Sequence, residues 1–90
     1  MYTRQTKIIN KTGLHARPAS EFVLLAKSFT SDISVKNISM DKESVNAKSI
    51  VRLLAEGINQ GTEVEISAKG IDETEAVREL VSLIESGFGE

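Results

Sequence analysis

Ninety residues, 40% apolar and 27% charged, suffice for one two-layer core and exclude a disordered chain. With no cysteine and a single histidine, a disulfide framework, a thiolate site and a multi-histidine metal centre are excluded, and the composition fits the cytoplasm. No run of about 18 apolar residues marks a helical membrane span, and Met1–Lys7 lacks the apolar stretch of a signal peptide.

Along the chain the pattern alternates between two periods. Thr6 and Ile8 on one face, with Gln5, Lys7 and Ile9 on the other, predict a first strand. Asn10-Lys11-Thr12-Gly13 reads as a loop in which Gly13 can take a positive φ. Ala19, Phe22, Val23, Ala26 and Phe29 recur at helical spacing, so an amphipathic helix is predicted from Ala16 to Ser28, with Phe22 and Phe29 in the core. Pro18 falls in its first turn, where a missing N–H leaves no helical bond unmade. Ile33 and Val35 alternate with Ser34 and Lys36 as a second strand. A polar connection over Asn37–Lys42 follows, and Ser44-Val45-Asn46 reads as a short third strand. Ser49, a preferred N-cap, opens a short helix carrying Ile50, Leu53 and Leu54, closed by Gly57. Val64, Ile66 and Ala68 alternate with Glu63, Glu65 and Ser67 as a fourth strand. Asp72-Glu73-Thr74-Glu75 resembles a capping box before a last helix striped by Ala76, Val77, Leu80 and Ile84. Gly87 ends that helix, and Phe88 and Glu90 are expected in a fraying tail.

The order is βαββαβα. Strands with one apolar and one polar face need cover on one side only. The expected class is therefore α+β: an open-faced two-layer sandwich in which three helices cover one face of a four-stranded, mainly antiparallel sheet. No repeat or linker divides it, so residues 1–90 read as one domain.

The chemistry concentrates in Gly13-Leu14-His15-Ala16-Arg17-Pro18-Ala19, which holds the only histidine and the only proline. The predicted helix start places His15 at or next to the N-cap, facing the free backbone N–H groups of Ala16 and Arg17 and the positive end of the helix dipole. Histidine is the residue type that supplies an unprotonated nitrogen nucleophile near neutral pH. Arg17 adds a forked set of donors at the end of the helix that disfavours a cation, a sign that an anion visits. A nucleophilic ring beside an anion cradle suits a phosphoryl group held on nitrogen. The bland alternatives are a capping histidine, a solvated arginine and a Ser49 that does no more than cap. Ile50 and Val51 are adjacent on a short helix and cannot both be buried. With Leu14 and Leu54 they predict a small exposed apolar patch beside His15, flanked by Lys48 and Arg52. Residues 1–52 hold nine Lys or Arg against four Asp or Glu, and residues 53–90 hold two against nine. A basic surface around His15 would favour acidic protein partners.

The heptapeptide, followed by Ala47-Lys48-Ser49-Ile50, resembles the HPr family, the histidine-containing phosphocarriers of the bacterial phosphoenolpyruvate-dependent sugar phosphotransferase system. The likeness runs over the whole chain, including Gln60-Gly61-Thr62 and the acidic entry to the last helix. It implies a sheet order of 1-4-2-3. It implies that His15 takes a phosphoryl group on Nδ1 from phosphorylated Enzyme I and passes it to enzyme IIA domains. Arg17 and the backbone of Ala16 and Arg17 would steady the phosphate, and Leu14, Lys48, Ile50, Val51, Arg52 and Leu54 would dock partners. Such a protein is a cytoplasmic monomer, a carrier rather than an enzyme, with no cofactor, metal, nucleic acid or membrane insertion. In Gram-positive relatives the serine matching Ser49 is also phosphorylated, which brings in an HPr kinase/phosphorylase and a catabolite-control regulator. Against that use, Val51 and Arg52 stand where many of those relatives have methionine and glycine. The Asn37–Glu43 connection is about three residues longer than in other members of the family. The alternative is a regulatory HPr-like paralogue acting in signalling rather than sugar uptake. An RNA-reading sheet is disfavoured, because Tyr2, Phe22, Phe29 and Phe88 lie outside the central strands.

Overall fold

Val64, Ile66 and Ala68 are buried along one side of a central strand whose other residues, Glu63, Glu65, Ser67 and Lys69, remain wholly or partly in solvent. The rest of the molecule is arranged around that strand in the computed structural model, which describes residues 1–90. The elements are β1 (Tyr2–Lys7), α1 (Ala16–Lys27), β2 (Asp32–Asn37), β3 (Val45–Asn46), α2 (Ile50–Ala55), β4 (Glu63–Lys69), α3 (Glu73–Glu85) and a 3-10 turn over Gly87–Gly89. The sheet order is β1-β4-β2-β3, and every pair is antiparallel. The expected class, strand order and open face are all present.

Register explains the two faces. Thr3 lies opposite Ser67 and Ser67 opposite Ser34, while Gln5, Glu65 and Lys36 form the next row. These polar rows make the uncovered side. On the other side Ile33, Val35, Val64 and Ile66 meet Phe22, Val77, Leu80 and Ile84 in one cluster of 21 buried residues. Phe22 and Phe29 both belong to it.

Four expectations are corrected at element ends. The first strand is Tyr2–Lys7, so Ile8 and Ile9 lie beyond it. There the chain turns: Ile8 N–H donates to the Thr62 carbonyl at 2.9 Å, and the Ile8 carbonyl accepts from Gly61 N–H at 2.7 Å. The third strand excludes Ser44, because only Val45 and Asn46 pair with β2. The capping box does not form. The Asp72 carboxylate instead accepts Thr30 N–H and Ser31 N–H, each at 2.9 Å, and the Ser31 hydroxyl. Glu73 Oε1 takes Gly70 N–H at 3.1 Å. Nor does the tail fray. Phe88 is 3% exposed within the core, and Glu90 accepts from the Thr12 hydroxyl at 2.7 Å and from Thr12 N–H at 3.4 Å.

The long β2–β3 connection is ordered by its own polar groups. Asn37, fully buried, accepts Met40 N–H at 3.1 Å, and Ser39 Oγ accepts Glu63 N–H at 2.9 Å.

Candidate functional site

Two loops build the site. Gly13 approaches the segment before β4 so closely that a Cβ would lie 2.5 Å from the Ile58 carbonyl oxygen and 2.8 Å from Asn59 Cα. Its φ of +68° is equally unsuited to a side chain. Leu14 N–H then donates to the Ile58 carbonyl at 2.9 Å, and the Leu14 side chain is 0% exposed. Leu14 therefore anchors the loop in the core and is not available to a docking partner, against expectation.

With Leu14 pinned, His15 emerges as the N-cap of α1, extended at φ −132° and ψ 159°, and its ring is partly exposed. The ring makes no capping bond. Its Nε2 lies 2.9 Å from Asn59 Oδ1. A carboxamide oxygen only accepts, so this contact calls for the proton on Nε2, and in the neutral ring the lone pair then lies on Nδ1. Ala16 follows at φ +50°, a left-handed conformation that costs a non-glycine residue about 1 kcal/mol. This bend starts the helix directly after the histidine. The N–H groups of Ala16 and Arg17 consequently have no acceptor within the helix, and Ala16, exposed and small, leaves them open. Pro18 sits buried in the first turn.

Arg17 is not a lone cation at the wrong end of a dipole. Its guanidinium pairs with Glu21, one helical turn on, and donates to the Phe88 carbonyl at 3.4 Å. The 3-10 turn thus forms one wall of the site. Glu90, beside it, is held below the usual carboxylate range chiefly by the Thr12 hydroxyl, with Arg17 adding a smaller electrostatic contribution. Glu21 and Asn59 escaped the sequence reading, which places Phe88 and Glu90 in a loose tail. Only Glu21 carried a readable signal, its i,i+4 spacing from Arg17.

The second motif sits on α2, which packs against α1. Ser49 is its N-cap, and the hydroxyl accepts Arg52 N–H at 3.3 Å. Val51 is 72% exposed, Leu54 is exposed and Ile50 half-buried, so the apolar patch exists without Leu14. Arg52 is exposed. Lys48 is half-buried, and its ammonium donates to the Phe29 carbonyl at 2.7 Å, just past the end of α1, so its charge is engaged within the fold. No group of three or more metal-ligating side chains occurs, and no helix is long and apolar enough to cross a membrane.

Known proteins share this fold and much of this sequence. Residues 2–86 match the PTS-HPr family, described as the PTS HPr component phosphorylation site. The phosphocarrier protein HPr of Haemophilus influenzae is 45% identical over 84 residues, covering 93% of this chain and 95% of that protein. The HPr-like protein Crh of Bacillus subtilis is 41% identical over 85 residues, covering 94% and 96%. The crystal structure of HPr-C-His from Thermoanaerobacter tengcongensis superposes with a TM-score of 0.94 at 51% identity, covering 100% of this chain and 98% of that one. A single histidine at a helix start, on an open-faced sandwich matched over nearly its full length, places this chain in the HPr family, whose members are phosphocarriers of the phosphotransferase system rather than enzymes.

Proposed function

We propose that this protein accepts a phosphoryl group from phosphorylated Enzyme I on Nδ1 of His15 and delivers it to enzyme IIA domains. The observation that carries this reading is the bond from Nε2 to Asn59, which leaves Nδ1 unbonded beside the start of α1. Phosphate oxygens on Nδ1 would meet the N–H groups of Ala16 and Arg17. Each such helix-terminal interaction is typically worth ~0.3–1 kcal/mol, enough to bias a near-balanced transfer and too little to trap the group. Arg17 would exchange Glu21 and the Phe88 carbonyl for the phosphate, a swap between one anionic partner and another. Val51, Leu54, Ile50 and Arg52 are the docking surface in this reading.

Incubation with phosphoenolpyruvate and Enzyme I tests it. The expected product is an acid-labile adduct of ~80 Da, the mass of one phosphoryl group. His15→Ala abolishes the adduct and Arg17→Ala slows its formation. An adduct that survives His15→Ala overturns the assignment.

A second reading concerns control. Ser49 presents its hydroxyl at a helix start, where an added phosphate meets favourable N–H groups, and a relative bears the name Crh, catabolite repression HPr, in Bacillus subtilis. Phosphorylation of Ser49 by an HPr kinase/phosphorylase, read by a catabolite-control regulator, is supported by those two facts. An acid-stable adduct formed with kinase and ATP, absent from Ser49→Ala, is the expected result. No adduct with such a kinase counts against it.

A further inference from the structure

We infer that Asn59 is a positioning residue for phosphoryl transfer: it keeps the ring proton of His15 on Nε2 through the whole cycle, so that Nδ1 can take and release the group without any proton moving. This deepens the carrier reading and rests on it.

Asn59 is held for this task. Its backbone N–H donates to Thr62 Oγ1 at 3.2 Å and its carbonyl accepts Thr62 N–H at 3.1 Å. Its Cα is one of the atoms against which Gly13 packs, and Ile58, one residue before, receives Leu14 N–H. The two loops therefore lock by backbone on one side, and by the 2.9 Å contact between Nε2 and Oδ1 on the other. The acceptor of the ring's N–H is neutral, and Asn59 supplies the ring's only side-chain hydrogen bond.

The chemistry needs that choice of proton. In the neutral ring one nitrogen bears hydrogen and the other a lone pair. With hydrogen on Nε2, the Nδ1 pair attacks phosphorus as the bond from phosphorus to its donor breaks, the electrons of that bond leaving with the donor. The ring becomes a cation that still carries Nε2–H, and Asn59 Oδ1 still accepts it. On delivery the Nδ1–phosphorus bond breaks, its electrons return to the ring, and the neutral Nε2–H imidazole reappears. With hydrogen on Nδ1, a base would have to remove it before each attack. A carboxamide oxygen steadies the cation through a dipole. A carboxylate in its place would hold the same tautomer but bind the phosphorylated cation more firmly, and delivery would stall.

The test uses 15N-labelled full-length protein. Imidazole nitrogen shifts, read in the pH range where the ring is neutral, are expected to show the Nε2–H tautomer alone in the wild type. In Asn59→Ala a measurable share of the Nδ1–H tautomer appears, and the rate constant for phosphorylation by Enzyme I falls about 2- to 10-fold, the scale of one hydrogen bond, with KM for this protein unchanged. Asn59→Asp restores the wild-type tautomer while slowing onward delivery to enzyme IIA. Wild-type nitrogen shifts and rates in Asn59→Ala, or an Nδ1–H tautomer in the wild type, overturn the inference. A wild type that takes no phosphoryl group overturns the carrier reading itself, and the tautomer measurement then still decides whether Asn59 fixes the ring proton.

Discussion

Ser49 shows how much a short helix owes to one side chain. Its hydroxyl satisfies Arg52 N–H at the start of a six-residue helix that has little else to nucleate it. Ser49→Ala is expected to cost about 1 kcal/mol, lowering the melting temperature of a domain this size by roughly 4–8 °C in thermal unfolding followed by circular dichroism. Ser49→Asp, which caps equally well, should restore it. The helix-start positions of His15 and Ser49 were legible because each stands in a local motif, with Pro18 in the first turn after one and an apolar run after the other. Asn59 was not, because its partner lies 44 residues away and nothing in Ile58-Asn59-Gln60 announces a bond to a ring. Leu14 was misread for the converse reason. Beside a candidate site histidine it reads as surface, but the backbone bond to Ile58 turns it inward.

Between elements, the joint at Asp72 carries the clearest dependence on pH. Its carboxylate gathers two backbone N–H groups and a hydroxyl from the Thr30–Ser31 turn, so α3 is tied to the entry of β2 rather than capped by its own first turn. Gly70 completes the joint, since a Cβ there would lie 2.5 Å from Ser31 Oγ. The Ser31 hydroxyl, followed by Thr30 N–H, lowers the Asp72 pKa to about 2 from an ordinary 3.8. The folded state therefore binds the proton later than the unfolded chain does. Stability from this carboxylate is fully present above about pH 4 and is lost as the pH falls towards 2. Urea midpoints measured from pH 5 to pH 2 should drop more steeply for the wild type than for Asp72→Asn, with the two converging at the acid end. The sequence made α3 readable through its stripe. It hid the use of the acidic residues before it, because Asp and Glu at a helix start look the same whether they bond within the helix or across to a turn.

For the molecule as a whole, the segment that locks the site comes from its far end. Phe88 plugs the core at a left-handed φ of +54°, its carbonyl meets Arg17, and Glu90 holds Thr12. Phe88→Ala is expected to cost about 3 kcal/mol in urea unfolding and to speed amide exchange across residues 10–17, which a fraying tail would leave unchanged. A lone apolar residue between two glycines near the chain end reads as loose, and only tertiary packing makes it part of the core. The charge asymmetry along the chain is likewise softened by folding. Lys7 lies opposite Glu63 and Lys36 opposite Glu65, so cations of the first half meet anions of the second across the sheet.

The order β1-β4-β2-β3 leaves β1, six residues long, without a neighbour on its outer side. Half its main-chain donors and acceptors face outward there, a template onto which a second molecule could zip. Arg4 and Lys7 on that strand, both exposed, would bring like charges together along such a seam. Like-charge repulsion there would oppose edge-to-edge pairing of two copies, and neutralising both side chains would remove that barrier without touching His15.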